Sequence, residues 1–117
     1  MLTFYGYDKC STCRKAKALL AKLGVAFKDI DITVNPPSKT TLAAILKTGA
    51  YELPALFNKS GEQYRLLKIK DKIKTMTEAQ ALALLSSNGR LIKRPIVTDG
   101  ERVTVGFDEK RFSDAWK

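Results

Sequence analysis

The stretch YGYDKCSTCRKA, Tyr5–Ala16, decides how this chain is read. It holds the two cysteines of the sequence, Cys10 and Cys13, in a Cys-x-x-Cys spacing. Just upstream, Leu2 to Tyr7 is short, apolar and aromatic, which suits a strand. Downstream the period changes. Ala16, Leu19, Leu20 and Leu23 recur at i, i+3, i+4 and i+7, the apolar stripe of one helix. Gly24 follows, where a helix end wants a left-handed residue. VAFKDIDI, Val25 to Ile32, then reads as a second strand with Ile30 and Ile32 on one face. Two strands joined by a helix in so short a span are expected to run parallel.

Working further along the chain, Asn35-Pro36-Pro37 is a break, and Ser38 can cap a helix running to about Thr48, with Leu42, Ile45 and Leu46 inward and Gly49 at its end. Between Tyr51 and Met76, the spacing of Leu66, Ile69, Ile73 and Met76 predicts a helix, although Lys68 to Lys74 also alternates like an edge strand. Thr77 with Gln80 forms a capping box that opens a helix over Glu78 to Ser87, stopped at Asn88-Gly89. Arg94 to Phe107 gives two β-rich runs around Asp99-Gly100, a hairpin signal. Asp108 caps a last short helix containing Phe112 and Trp116. The expected class is α/β: a mixed four-stranded sheet built as β-α-β, a helical insertion at about 36–88, then β-β-α, in a single domain over 1–117.

Composition narrows the function classes. With 117 residues, 44% hydrophobic and 28% charged, the chain is long enough for one globular core and is not of the disordered type. No apolar run is long enough to span a bilayer, and MLTFYGYDK lacks the basic leader and apolar core of a secretory signal, so the cytoplasm is the expected compartment and no membrane partner is expected. The excess of 21 basic over 12 acidic residues, +9, is read as a lysine-rich solvated surface. Direct nucleic-acid binding is not expected, because no recognised motif accompanies the charge.

Three chemistries compete for the cysteine pair. A structural zinc site wants four ligands, and this chain offers two cysteines and no histidine, so no metal is expected. A structural disulfide would close a very short loop, which constrains the unfolded chain least. Redox chemistry fits the placement best. Cys10 falls at the end of the first strand, at or beside the N-cap of the helix, so its sulfur would meet the free N–H groups of Thr12 and Cys13 and the positive end of the helix dipole. Lys9, Arg14 and Lys15 add positive charge nearby. A thiolate is favoured there, and Cys13 is placed to resolve a bond formed at Cys10.

Four segments carry a resemblance that spans nearly the whole chain: FYGYDKCSTCRKAKALL (Phe4 to Leu20), LFNKSGEQYR (Leu56 to Arg65), LIKRPIV (Leu91 to Val97) and TVGFDEKRF (Thr104 to Phe112). Together they resemble the arsenate reductase (ArsC)/Spx family, a branch of the thioredoxin-like fold. The resemblance implies an arsenate-reductase-like thiol oxidoreductase without a bound cofactor, using glutathione or glutaredoxin as reductant. Cys10 matches the reactive cysteine, with Cys13 as its resolving partner. Arg94 matches the arginine that faces this cysteine, and Pro95 the cis-proline that opens the third strand. Arg65 matches a second arginine that holds the oxyanion. Ser11, Thr12 and Pro95 complete the candidate substrate-binding set. Where the reductases carry a third arginine, this chain has Gly106 and Phe107; where they carry His-Asn before the cysteine loop, it has Tyr7-Asp8. The second cysteine resembles the Spx branch, which implies the alternative of a redox-sensing regulator that binds the RNA polymerase α subunit.

Overall fold

Strand β1 (Leu2–Gly6) pairs in parallel with β2 (Phe27–Asp31) and antiparallel with β3 (Ile96–Thr98). Strand β3 in turn pairs antiparallel with β4 (Val103–Val105), giving the order β2-β1-β3-β4. The computed structural model describes residues 2–117. They divide into two compact units, one built from residues up to Ile32 with Arg94–Lys117, the other from Thr33–Lys93. The mixed four-stranded sheet lies wholly in the first.

The parallel pair follows from helix α1 (Ser11–Lys22), which carries the chain back so that β2 starts at the same end as β1. The antiparallel pair follows from the turn after Thr98. Gly100 takes φ +99°, a left-handed conformation that suits a residue without Cβ. Asp99 Oδ1 accepts the N–H groups of Glu101 and Arg102 at 2.9 and 2.7 Å and fixes the turn. Those two backbone bonds draw the Asp99 carboxyl down to about 2.

Leu2, Phe4 and Gly6 point to one face of β1, because alternate strand residues share a face. Ala16 and Leu20 of α1, Val97 of β3, and Phe112 and Trp116 of helix α6 (Glu109–Trp116) pack in the same cluster as Leu2 and Phe4. Complete burial of a Phe or Leu such as Phe4, Leu20 or Phe112 contributes roughly 1.5–3 kcal/mol each. Asp108 caps α6 by accepting the Arg111 N–H at 3.1 Å. Near the other end of the helix, Trp116 Nε1 donates to the buried Thr104 Oγ1 at 3.0 Å, so neither polar group is left unpaired. Cys13 belongs to this apolar cluster as well. A Cβ on Gly6 would run into the Phe4 ring and crowd Cys13 Sγ at 3.3 Å, so the bare backbone of glycine suits this close approach.

The second unit holds helices α2 (Lys39–Lys47), α3 (Glu62–Leu66), α4 (Ile69–Lys72) and α5 (Glu78–Ser87). Ser38 caps α2 through the Thr41 N–H, and the Thr77–Gln80 capping box opens α5. The region expected to form a single helix through Leu66, Ile69, Ile73 and Met76 instead forms α3 and α4, separated at Lys68, which adopts φ +54°. The break rotates the stripe. Ile69 is fully buried, whereas Leu66 stands 65% exposed. Strand β2 is also shorter than the Val25 to Ile32 run, although Ile32 N–H still bonds to Gly6 O at 2.9 Å.

Candidate functional site

The turn Tyr7–Lys9 leads β1 into α1, and Cys10 closes it by donating its N–H to Tyr7 O at 3.0 Å. The backbone of Cys10 is extended, φ −92° and ψ 115°, the conformation of an N-cap. Its Sγ accepts the Cys13 N–H at 3.3 Å. A sulfur thus occupies the place that a Ser or Asp oxygen commonly takes at a helix start. Charge on this atom is stabilised by unpaired amide groups and by the helix dipole.

Five contributions set the Cys10 thiol. Partial burial pushes its pKa up. Hydrogen bonds from the Cys13 side chain and backbone, the positive charge of Arg94, and the Thr12 N–H pull it down, and the net direction is below the ordinary thiol value. Cys13 goes the other way. It is fully buried, and burial first, then its hydrogen bond to Cys10 and the charge there, push its thiol up to about 12. The Tyr7 N–H and Arg94 act in the opposite sense without offsetting this. Two identical functional groups one helical turn apart are therefore split, one toward the thiolate and one held as the thiol. Such divergence marks an acid–base or nucleophile pair more often than a structural one. Both cysteines are free thiols in the structure.

The structure brings Cys10, Cys13, Ser11, Thr12, Arg94 and Pro95 into the first unit. Ser11 is exposed at the first position of α1, Thr12 is half-buried, and Pro95 is buried after a cis peptide bond from Arg94. Arg65 is on α3 of the second unit with an exposed side chain. No group of three or more His, Cys, Asp or Glu side chains able to hold a metal occurs among the described residues. One residue of the site was not singled out by the sequence reading. The Arg94 guanidinium carbon lies 5.4 Å from the centroid of the half-buried Tyr7 ring, a cation–π distance. The pairing joins residues remote in sequence, and no spacing rule announces it.

Comparison with known proteins places this geometry. The sequence matches the ArsC family over residues 5–115. It is 50% identical over 115 residues to the uncharacterized protein YusI of Bacillus subtilis, covering 98% of both chains. It is 30% identical over 109 residues to the global transcriptional regulator Spx of Streptococcus agalactiae, covering 93% of this chain and 78% of that one. The crystal structure of a possible arsenate reductase from Streptococcus mutans superposes with a TM-score of 0.86 at 44% identity, covering 92% of this chain and 91% of that one. The chain belongs to the ArsC family and has its arsenate-reductase-like, thioredoxin-like α/β fold.

Proposed function

We propose that this chain is a thiol oxidoreductase whose nucleophile is the Cys10 thiolate. The observation that carries the reading is the Cys10 sulfur set as the cap of α1, accepting the Cys13 N–H under the positive charge of Arg94. With a glutathione mixed disulfide, Cys10 sulfur attacks the glutathione sulfur, the S–S bond breaks, and the other thiolate leaves. The Cys10–glutathione bond is then broken in one of two ways: Cys13 attacks Cys10 sulfur and glutathione thiolate leaves, or free glutathione attacks the bound glutathione sulfur and Cys10 thiolate leaves. With arsenate, Cys10 displaces an oxygen of arsenic, which leaves as water. Attack of the second thiol on Cys10 sulfur breaks the S–As bond, the electron pair stays on arsenic, and arsenite departs. Two thiols supply the two electrons in either case. Arg94 offsets repulsion between thiolate and anion. Ser11, Thr12 and Pro95 frame the approach. Adduct formation removes the negative charge of Cys10, one of the causes that hold Cys13 protonated. Glutathione or glutaredoxin as reductant fits the cytoplasm, where thiols are kept reduced.

The test is turnover of arsenate and of a glutathione mixed disulfide with glutathione and glutaredoxin supplied. The wild-type chain is expected to turn over at least one of them, with the Cys10→Ser variant at the uncatalysed rate. Equal rates for the two proteins remove the reading. The similarity to Spx, a global transcriptional regulator, favours one second reading: oxidation of the pair controls docking on the RNA polymerase α subunit. Capture of that subunit in one redox state of this chain, without turnover of either substrate, selects it.

A further inference from the structure

Tyr7 touches each component of the thiol site by a different part of itself. Its carbonyl accepts the Cys10 N–H at 3.0 Å. Its N–H faces the Cys13 sulfur. Its ring lies against the Arg94 guanidinium at 5.4 Å. The first two contacts use main chain and are available to any residue but proline. The third needs an aromatic face. Arginine has a long, rotamer-rich side chain, and holding its charge in one place costs conformational entropy. A ring face beside it supplies both an apolar surface for the planar group and an attractive quadrupole.

We propose that Tyr7 is a positioning residue, its ring holding the Arg94 guanidinium where its charge reaches the Cys10 sulfur. The proposal rests on the reading of Cys10 as an electrostatically stabilised nucleophile. Three of the other charged groups near the turn, Arg14, Asp8 and Lys17, are otherwise engaged, while Lys9 in the turn is exposed. Arg14 Nη1 donates to the Asp8 carbonyl at 3.2 Å, and the Asp8 carboxylate faces Lys17 Nζ at 3.7 Å. Lys17 is held mainly by Asp29, at 2.6 Å. Arg94 and Cys13 are the side chains that act on Cys10. Arg94 makes no ion pair among those found between described residues, so the ring is the contact found for its guanidinium.

None of these three contacts uses the Tyr7 hydroxyl, which makes the proposal separable from a general need for tyrosine. The experiment follows the pH dependence of Cys10 alkylation by iodoacetamide, read at Cys10 by mass spectrometry, in the full chain. The variants are Tyr7→Phe, Tyr7→Trp, Tyr7→Leu, Arg94→Ala and the Tyr7→Leu/Arg94→Ala double, each checked for native circular dichroism. The expected result is a wild-type-like midpoint for Phe and Trp. Leu should regain most of the upward shift produced by Arg94→Ala, and the double variant should titrate no higher than Arg94→Ala alone. If Tyr7→Leu is unfolded, the Phe and Trp variants still decide, because a shift in both as large as that of Arg94→Ala overturns the ring-face assignment. A wild-type midpoint in Tyr7→Leu beside a shifted Arg94→Ala overturns the role of Tyr7 and leaves the nucleophile reading standing. An unshifted Arg94→Ala overturns both.

Discussion

At the scale of single residues, the site depends on what is missing as much as on what is present. Gly6 lacks the Cβ that would collide with the Phe4 ring and crowd Cys13 Sγ, so the buried thiol and the strand that carries the turn can approach closely. Gly6→Ala is expected to destabilise the chain by about 1–3 kcal/mol, the usual cost of overfilling a packed site. Urea denaturation measures it, and an unchanged midpoint would show that the strand and ring yield freely. Cys10 was legible in the sequence because its setting is local: a strand, a turn and a capped helix within a dozen residues. Its partner Cys13 was legible for the same reason. Tyr7 as the platform for Arg94 was not, since the pairing arises only when β3 is laid beside β1. Arg65 matched a motif, and its side chain is exposed on α3 of the second unit.

At the scale of elements, the sequence was most readable where caps and turn residues coincide with a hydrophobic period. Helix α1 ends where Gly24 takes φ +73°, α5 begins at its capping box, and the hairpin turns at Asp99-Gly100. The stretch between Leu66 and Met76 misled because Lys68, with neither glycine's freedom nor asparagine's side chain, takes the left-handed conformation that splits it. Helix α6 is joined to β4 by a contact that the pattern did not announce, Trp116 Nε1 to Thr104 Oγ1. Trp116→Phe is expected to cost about 1–3 kcal/mol, because the buried Thr104 hydroxyl loses its donor. Adding Thr104→Val should recover part of that loss, since both polar groups are then gone. Thermal denaturation of the single and double variants checks this; additive losses would mean that the bond contributes nothing.

At the scale of the whole molecule, matches to one family from residue 5 to residue 115 tie the two units to one evolutionary pattern. The excess of +9 is carried by side chains that are largely exposed, and no helix among the described residues is long and apolar enough to cross a membrane. What this architecture delivers is an asymmetry between two thiols set one turn apart: the first lies at an open helix start under a guanidinium, the second in the apolar cluster below. A Cys10 pKa below that of an ordinary thiol means that its thiolate fraction rises at lower pH than that of a free cysteine, while Cys13, at about 12, remains a thiol across the same range. The most direct measurement is the 13Cβ chemical shift of each cysteine followed by NMR against pH in the reduced full chain. The account predicts a Cys10 midpoint below that of a free cysteine in an unstructured peptide and no ionisation of Cys13 until near 12. A Cys10 midpoint at or above that of the free peptide cysteine, or two cysteines titrating together, would contradict it.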